Sequence, residues 1–286
     1  MHVHSLLCFG AVPGDGNPAL VIEGDDADTA ARQAFARARN TTCVFIDQDG
    51  EDGIARVDFF YPHMRSPLCL HATLGVAAVL FARAPQAQTL PVRTAVNHQH
   101  LQLSRDGADY YVRIAAQPAP QVDVDDGALA ALLDAPGFAA RTRARVASIG
   151  SPKLLVEVAD REVLYALRPD LAAIAAWGKA HGVNGLYVWC RRPDGAFEGR
   201  NFNHLDPRLE DSATGVAAGA LAVALANASA SGPAIDLDLR QGRMSGRDCL
   251  IRVRRVVDEV HDDVHDDMPD DVRGGALRVG GAATFA

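Results

Sequence analysis

The chain has 286 residues, 48% of them hydrophobic and 22% charged, which is ordinary globular composition and excludes collagen, low-complexity disorder and coiled coil. A length in this range suggests roughly two domains. Thirty-six acidic against 28 basic residues give a formal charge of −8, which argues against nucleic acid as a partner. Hydrophobic patterning and turn residues predict, in order, a strand over 3–8, a loop over 13–18, a strand over 19–22, a helix over 28–40 and strands over 43–47 and 54–61. A loop over 62–70 then leads into a helix of small apolar residues over 71–83, followed by strands over 90–103 and 110–115. Residues 117–123 carry two prolines and read as a linker. Beyond it the pattern predicts a helix over 127–135, strands over 144–149 and 153–158, a helix over 170–181, and strands over 183–190 and 197–204. A helix over 211–228 and strands over 234–239, 249–257 and 276–285 complete the chain. The mixture predicts an α+β fold in two halves, 1–120 joined by the last strand 276–286, and 121–275.

Five cysteines, Cys8, Cys43, Cys69, Cys190 and Cys249, are odd in number, widely spaced and contain no Cys-x-x-Cys, as in a reduced cytoplasmic protein. The first residues lack the basic start and long apolar run of a secretory signal. Residues 212–235 are uncharged but broken by Gly, Asn, Ser and Pro, so they read as a buried helix and its exit rather than a membrane span. No Lys/Arg block marks a lipid-headgroup surface.

The two halves echo each other. His71-Ala-Thr-Leu-Gly-Val-Ala-Ala and Ser212-Ala-Thr-Gly-Val-Ala-Ala each follow an aromatic strand and a proline-containing loop, and each opens a helix poor in bulky side chains. Helix N-termini expose unpaired N–H groups, so two of them across a cleft would hold a carboxylate. The alternative is two unrelated Ala-rich core helices.

Several segments, in order, carry a resemblance: Gly16-Asn17-Pro18, Phe60-Tyr61-Pro62, Pro67-Leu-Cys-Leu-His-Ala-Thr, Arg200-Asn-Phe, Glu210-Asp-Ser-Ala-Thr-Gly and Gln241-Gly-Arg-Met. Together they resemble the phenazine-biosynthesis PhzF-like family of the diaminopimelate-epimerase fold. The resemblance implies two similar halves, each a curved sheet wrapped round a central helix, with the active site in the cleft between them. It implies a cofactor-independent isomerase or epimerase that moves a proton at carbon in a small amino or hydroxy carboxylate, with no metal, often as a homodimer. Asn17 matches the family's substrate-lining loop, His71 its Gly-His-Ala-Thr histidine, Asp211 its Glu-Asp-Pro-Ala-Thr-Gly aspartate and Gly215 its substrate-holding backbone N–H. Ala72, Ser212 and Val216 stand beside these at the two helix starts. Four positions depart: Thr42 replaces the catalytic Glu, Leu70 a Gly, Ser212 a Pro and Val216 a Ser.

With the Glu absent, Asp211 and His71 are the expected acid–base pair, and Thr42 is left to orient substrate by hydrogen bonding. Asp211 also suits a helix N-cap. In the epimerase branch of this fold a Cys on the Cys69 loop is the base, paired with a second Cys where this chain has Ser212, so a two-thiol epimerase is not expected and Cys69 reads as a substrate-binding residue. A carboxylate binder that has lost turnover is the alternative function. Cys43 reads as a buried apolar residue. His2 with His4, and His98 with His100, read as one strand face each. The His/Asp run over 261–271 reads as a solvated insertion rather than a metal site.

Overall fold

Among the described strands, sequence-near pairs and helical crossovers build the fold. The computed structural model describes residues 1–47, 53–202, 210–228, 236–256 and 276–286. The expected 261–271 insertion lies outside these. The chain divides into two units: Met1–Arg113 with Asp248–Leu250 and Val279–Ala286, and Ile114–Arg247 with Ile251–Arg278.

In the first unit β1 (His2–Cys8) is antiparallel to β2 (Asn17–Glu23). Helix α1 (Thr29–Arg39) carries the chain over to β3 (Thr42–Asp47), parallel to β2. Its ends are those its residues dictate. The Asp28 carboxylate accepts from the Ala31 N–H, Asn40 closes it in the left-handed conformation, and Arg37 and Arg39 lie in its last turn. β4 (Ala55–Phe60) returns antiparallel; the short β5 (Arg65–Ser66) and α2 (Leu70–Arg83) then lead to β6 (Thr89–Thr94), parallel to β4. β7 (His100–Asp106) and β8 (Asp109–Ile114) continue as an antiparallel meander. β15 (Leu277–Phe285) lies beside β8 and pairs with β1, so eight strands close on themselves. Helix α2 packs against β1, β2, β3 and β6 and has apolar residues on all sides, as a helix inside a closed sheet must. Gly75 lets it approach: a Cβ there would lie 3.1 Å from Val21 and 3.6 Å from the Cys8 sulfur.

The second unit repeats the plan. β9 (Arg145–Ala147) and β10 (Lys153–Glu157) are antiparallel, and α4 (Arg161–Ala166) and α5 (Leu171–His181) cross over to β11 (Leu186–Arg191), parallel to β10. β12 (Phe197–Phe202) is antiparallel to β11, and β13 (Leu237–Gln241) is parallel to β12, with α6 (Gly215–Ala228) between them in the chain. β14 (Cys249–Arg255) follows beside β13. Thus α2 and α6 each join two parallel neighbours, and the echo in the sequence is a structural repeat.

Strand alternation sorts this second sheet into two unlike faces. Leu154, Val156, Leu186, Val188, Cys190 and Phe202 pack on one side with Leu129 of α3 (Asp126–Leu132), Leu164 and Ile174. Lys153, Tyr187, Gly199, Asn201 and Gln241 fall on the other, towards α6, which packs on β9 and β10. Tyr187 lies across Gly199, where a Cβ would stand 2.2 Å from its hydroxyl oxygen. The ring is fully buried and has nowhere to go. Gly199→Ala is expected to lower stability by about 1–3 kcal/mol or more in chemical denaturation; an unchanged midpoint would show that Tyr187 can move aside.

Three expectations are corrected. The strand expected over 90–103 is a hairpin, because residues 95–99 turn: His98 has φ +52° and the Gln99 N–H donates to Thr94 Oγ1. His98 and His100 therefore do not share a strand face, whereas His2 and His4 do lie together in β1, ring centroids 4.3 Å apart. The helix expected from 211 begins at Gly215, so Thr214, not Asp211, immediately precedes it. No helix among the described residues is long and apolar enough to cross a membrane.

Candidate active site

Cys69 and His71 meet at the start of α2. The Cys69 sulfur is 3.2 Å from His71 Nδ1, and both side chains are buried. Thr73 locks the turn from below: its N–H and its hydroxyl both donate to the Cys69 carbonyl, at 2.9 and 2.8 Å. Burial by itself pushes the Cys69 thiol up. The charge and hydrogen bond of His71, then the Tyr61 hydroxyl and the Ala72 N–H, outweigh burial and hold it below the usual thiol range. The positive end of a 14-residue helix acts in the same direction. The result is a buried Cys69–His71 pair in which the imidazole favours the ionised form of the sulfur. No such activation exists at Cys43, whose thiol burial pushes up to about 12 in an apolar cluster with Ile22, Ala36, Phe45 and Phe60. Its reading as a packed apolar residue fits.

The other expected residues of the first unit sit at strand starts. Asn17 opens β2 opposite Cys8 and is buried. Thr42 opens β3, whose register sets it against Ala19 of β2, and is half-buried. Ala72 is fully buried, and its N–H is the one directed at the Cys69 sulfur.

In the second unit Asp211 is half-buried just ahead of α6, and its Oδ2 accepts from the Thr214 hydroxyl at 2.6 Å. The preceding residue is anchored: Glu210 receives a two-pronged hydrogen bond, 2.9 Å on each arm, from the buried Arg200, which also donates to the Leu164 and Leu167 carbonyls. Ser212 is half-buried and takes a hydrogen bond from Ser245. Gly215 is buried and Val216 half-buried at the first turn of α6. Gly242 has φ +106° and passes so close to the Ser212 carbonyl that a Cβ would stand 2.8 Å from it.

Four groups here were given no site role in the sequence, although Asn201 and Gln241 stand in two of the motif segments. Lys153, read only as a strand start, is fully buried with its ammonium on the Asn184 carbonyl. Burial pulls it down to about 7, against the opposing charge of Asp211. Tyr187 and Gln241 are buried and hydrogen-bonded to each other. Asn201 is fully buried, with neither side-chain polar atom hydrogen-bonded among the described residues. A lysine in a run of strand residues gives no signal of this kind; only the alternation Lys153–Leu155, set beside Tyr187, would have hinted at it.

A cavity of about 750 Å³ in the first unit is lined by Asp25, Asp47, Asp58, Arg32, Arg56 and Arg65, among others. Arg32 there reaches Asp25 at 3.0 Å and Asp47 at 2.6 Å, and Arg65 reaches Asp58 at 2.8 Å. Arg32 thereby fastens α1 to β3, and Arg65 ties β5 to β4. No cluster of potential metal ligands occurs among the described residues.

Comparison with known proteins bears on this geometry. The profile of a family described as phenazine biosynthesis-like protein matches residues 7–279. An uncharacterized isomerase of Deinococcus radiodurans is 31% identical, the match spanning 83% of this chain and 78% of that one. Trans-2,3-dihydro-3-hydroxyanthranilate isomerase of Pseudomonas fluorescens is 28% identical over 88% and 89%. Among solved structures, one described as a predicted epimerase from Pseudomonas aeruginosa superposes with a TM-score of 0.75 and 25% identity, covering 99% of this chain and 96% of that one.

Proposed function

Because the chain belongs to the phenazine biosynthesis-like protein family and is an isomerase, we propose that it moves a proton at carbon in a small amino or hydroxy carboxylate, without a cofactor. The observation that carries this reading is the Cys69–His71 pair. A thiolate held by an imidazolium is a base at neutral pH. In the reaction the sulfur takes the proton from the carbon next to an electron-withdrawing group, the C–H pair is left on the carbon framework, and a proton returns to another carbon or to the opposite face. His71 keeps the sulfur ionised beforehand and shares the proton afterwards. Asp211 is the carboxylate assigned to proton handling. Asn17, Thr42, Ala72, Ser212, Gly215 and Val216 supply hydrogen bonds and shape for the substrate. This assignment answers the missing Glu: Thr42 cannot act as a base near neutrality, and the thiolate takes that role.

Proton exchange in D2O tests the proposal. The panel is trans-2,3-dihydro-3-hydroxyanthranilate, L-proline, L-alanine and L-malate, followed by proton NMR. Wild type is expected to wash deuterium into at least one carbon of one compound. Asp211→Asn and His71→Gln should each lower that rate roughly a hundredfold or more, the usual worth of a general acid or base. Binding without any deuterium uptake would instead identify a carboxylate binder. Full turnover in both variants would remove these two residues from the proposal.

A further inference from the structure

A series of hydrogen bonds that ends on Asp211 runs in one direction. The Thr214 N–H can only donate and the Asp211 carbonyl can only accept, so the Gln241 amide between them has one allowed orientation. Its oxygen faces the Thr214 N–H at 3.3 Å and the Tyr187 hydroxyl at 3.1 Å. Its nitrogen donates to the Asp211 carbonyl at 2.7 Å and to the Thr214 hydroxyl oxygen at 3.0 Å. Having accepted there, the Thr214 hydroxyl spends its single proton on Asp211 Oδ2, 2.6 Å away. From Tyr187 through Gln241 and Thr214, each proton points onward and the series ends on a carboxylate.

We infer that Gln241, fixed by Tyr187, is a positioning residue that acts through Thr214 to hold Asp211 in one side-chain orientation. The inference rests on the role given to Asp211 under the proposed function. Three features support it. Gln241 and Tyr187 are almost wholly buried, where apolar side chains of similar size would pack without a network that must be satisfied at every member. The Tyr187 hydroxyl is accommodated only because Gly199 lacks a Cβ, and glycine inside a strand is itself destabilising. Lastly, the network grips both ends of the same residue, the Asp211 carbonyl through Gln241 and its carboxylate through Thr214. That double hold removes rotamer freedom from Asp211 before substrate arrives, and catalysis is sensitive to misplacement on the ångström scale.

The test uses the full chain and the panel compound into which wild type incorporates deuterium fastest. Thr214→Val, Thr214→Ser and Tyr187→Phe are made alone and in an Asp211→Asn background. Thr214→Val is expected to lower kcat between roughly tenfold and a hundredfold with KM within about twofold, because orientation rather than binding is lost. Thr214→Ser keeps the hydroxyl and should restore most of kcat. Tyr187→Phe should lower kcat by a smaller factor in the same sense. Neither Thr214→Val nor Tyr187→Phe should cost anything further once Asp211 is Asn, since residues acting as a unit are not additive. If Thr214→Val does not fold, Tyr187→Phe decides by itself. Wild-type kcat in the network variants, with Asp211→Asn still impaired, overturns the inference and leaves the proposed function standing. Losses that add to that of Asp211→Asn also overturn it. A wild type that exchanges no panel compound, or an Asp211→Asn variant with normal turnover, removes the Asp211 role and the inference with it.

Discussion

Replacing Lys153 with Met is expected to abolish a pH-dependent part of the stability. Burial lowers the Lys153 ammonium to about 7 from the ordinary 10.5, with Asp211 opposing. Between those values the unfolded chain binds a proton that the folded chain does not, so wild-type stability rises with pH through this window. Below pH 7 both states are protonated, and the folded protein carries the full cost of a buried charge that donates to the neutral Asn184 carbonyl. Over pH 7 to 10 the stability difference between wild type and Lys153→Met should change in favour of wild type by about 3 kcal/mol. Taking the difference cancels the other groups that titrate there, among them Cys190, whose thiol burial pushes up to about 11. Urea unfolding of both proteins at a series of pH values measures this. Parallel curves would mean that the Lys153 ammonium titrates in the native state as it does in water.

Cys69→Ala is expected to reduce deuterium exchange by at least roughly a hundredfold, and by as much as ten-thousandfold, because it removes the proposed base itself. Cys69→Ser should do nearly as badly, since a hydroxyl in that position stays protonated at neutral pH. The thiolate can also be read without any substrate. Its absorbance near 240 nm should appear below the ordinary thiol range in wild type and be absent in Cys69→Ser. In His71→Gln the same step should move to higher pH, because burial then acts on the thiol without the imidazolium charge that offsets it. Thiolate absorbance that first appears in the ordinary thiol range, together with full turnover in Cys69→Ala, would reduce Cys69 to a packed side chain and pass the base role to His71.

Much of this molecule could be read from local pattern. Helix α1 occupies Thr29–Arg39 between Asp28 and Asn40, the residues the chain order marked as its limits, because caps are short-range hydrogen bonds made within one turn. The Ala-rich helices were visible for a similar reason: a helix without a polar face has to be enclosed. The hairpin at 95–99 was missed because its turn rests on a left-handed His98, a conformation that no Gly or Pro announces there. The start of α6 was placed early because Asp211 suits a cap; Thr214 precedes the helix instead, while Asp211 is held by Gln241 from β13, thirty residues away.

Which residues carry chemistry divided along the same line. Asn17, His71 and Asp211 could be named from the sequence because each lies in a short ordered motif, and Cys69 because it lies two residues from His71. Such proximity survives in any conformation of the loop. That the Cys69 thiol is held below the usual thiol range, that burial pulls Lys153 down to about 7, and that Tyr187, Gln241 and Thr214 form one directed network are consequences of burial and of strand register. Burial sets the energetic cost of charge, and register decides which side chains of separate strands share a face. Neither quantity exists in a single strand read by itself. The sequence therefore determined the family, the repeated plan and the motif residues, while the tertiary structure decided how deeply they are buried and which partners hold them.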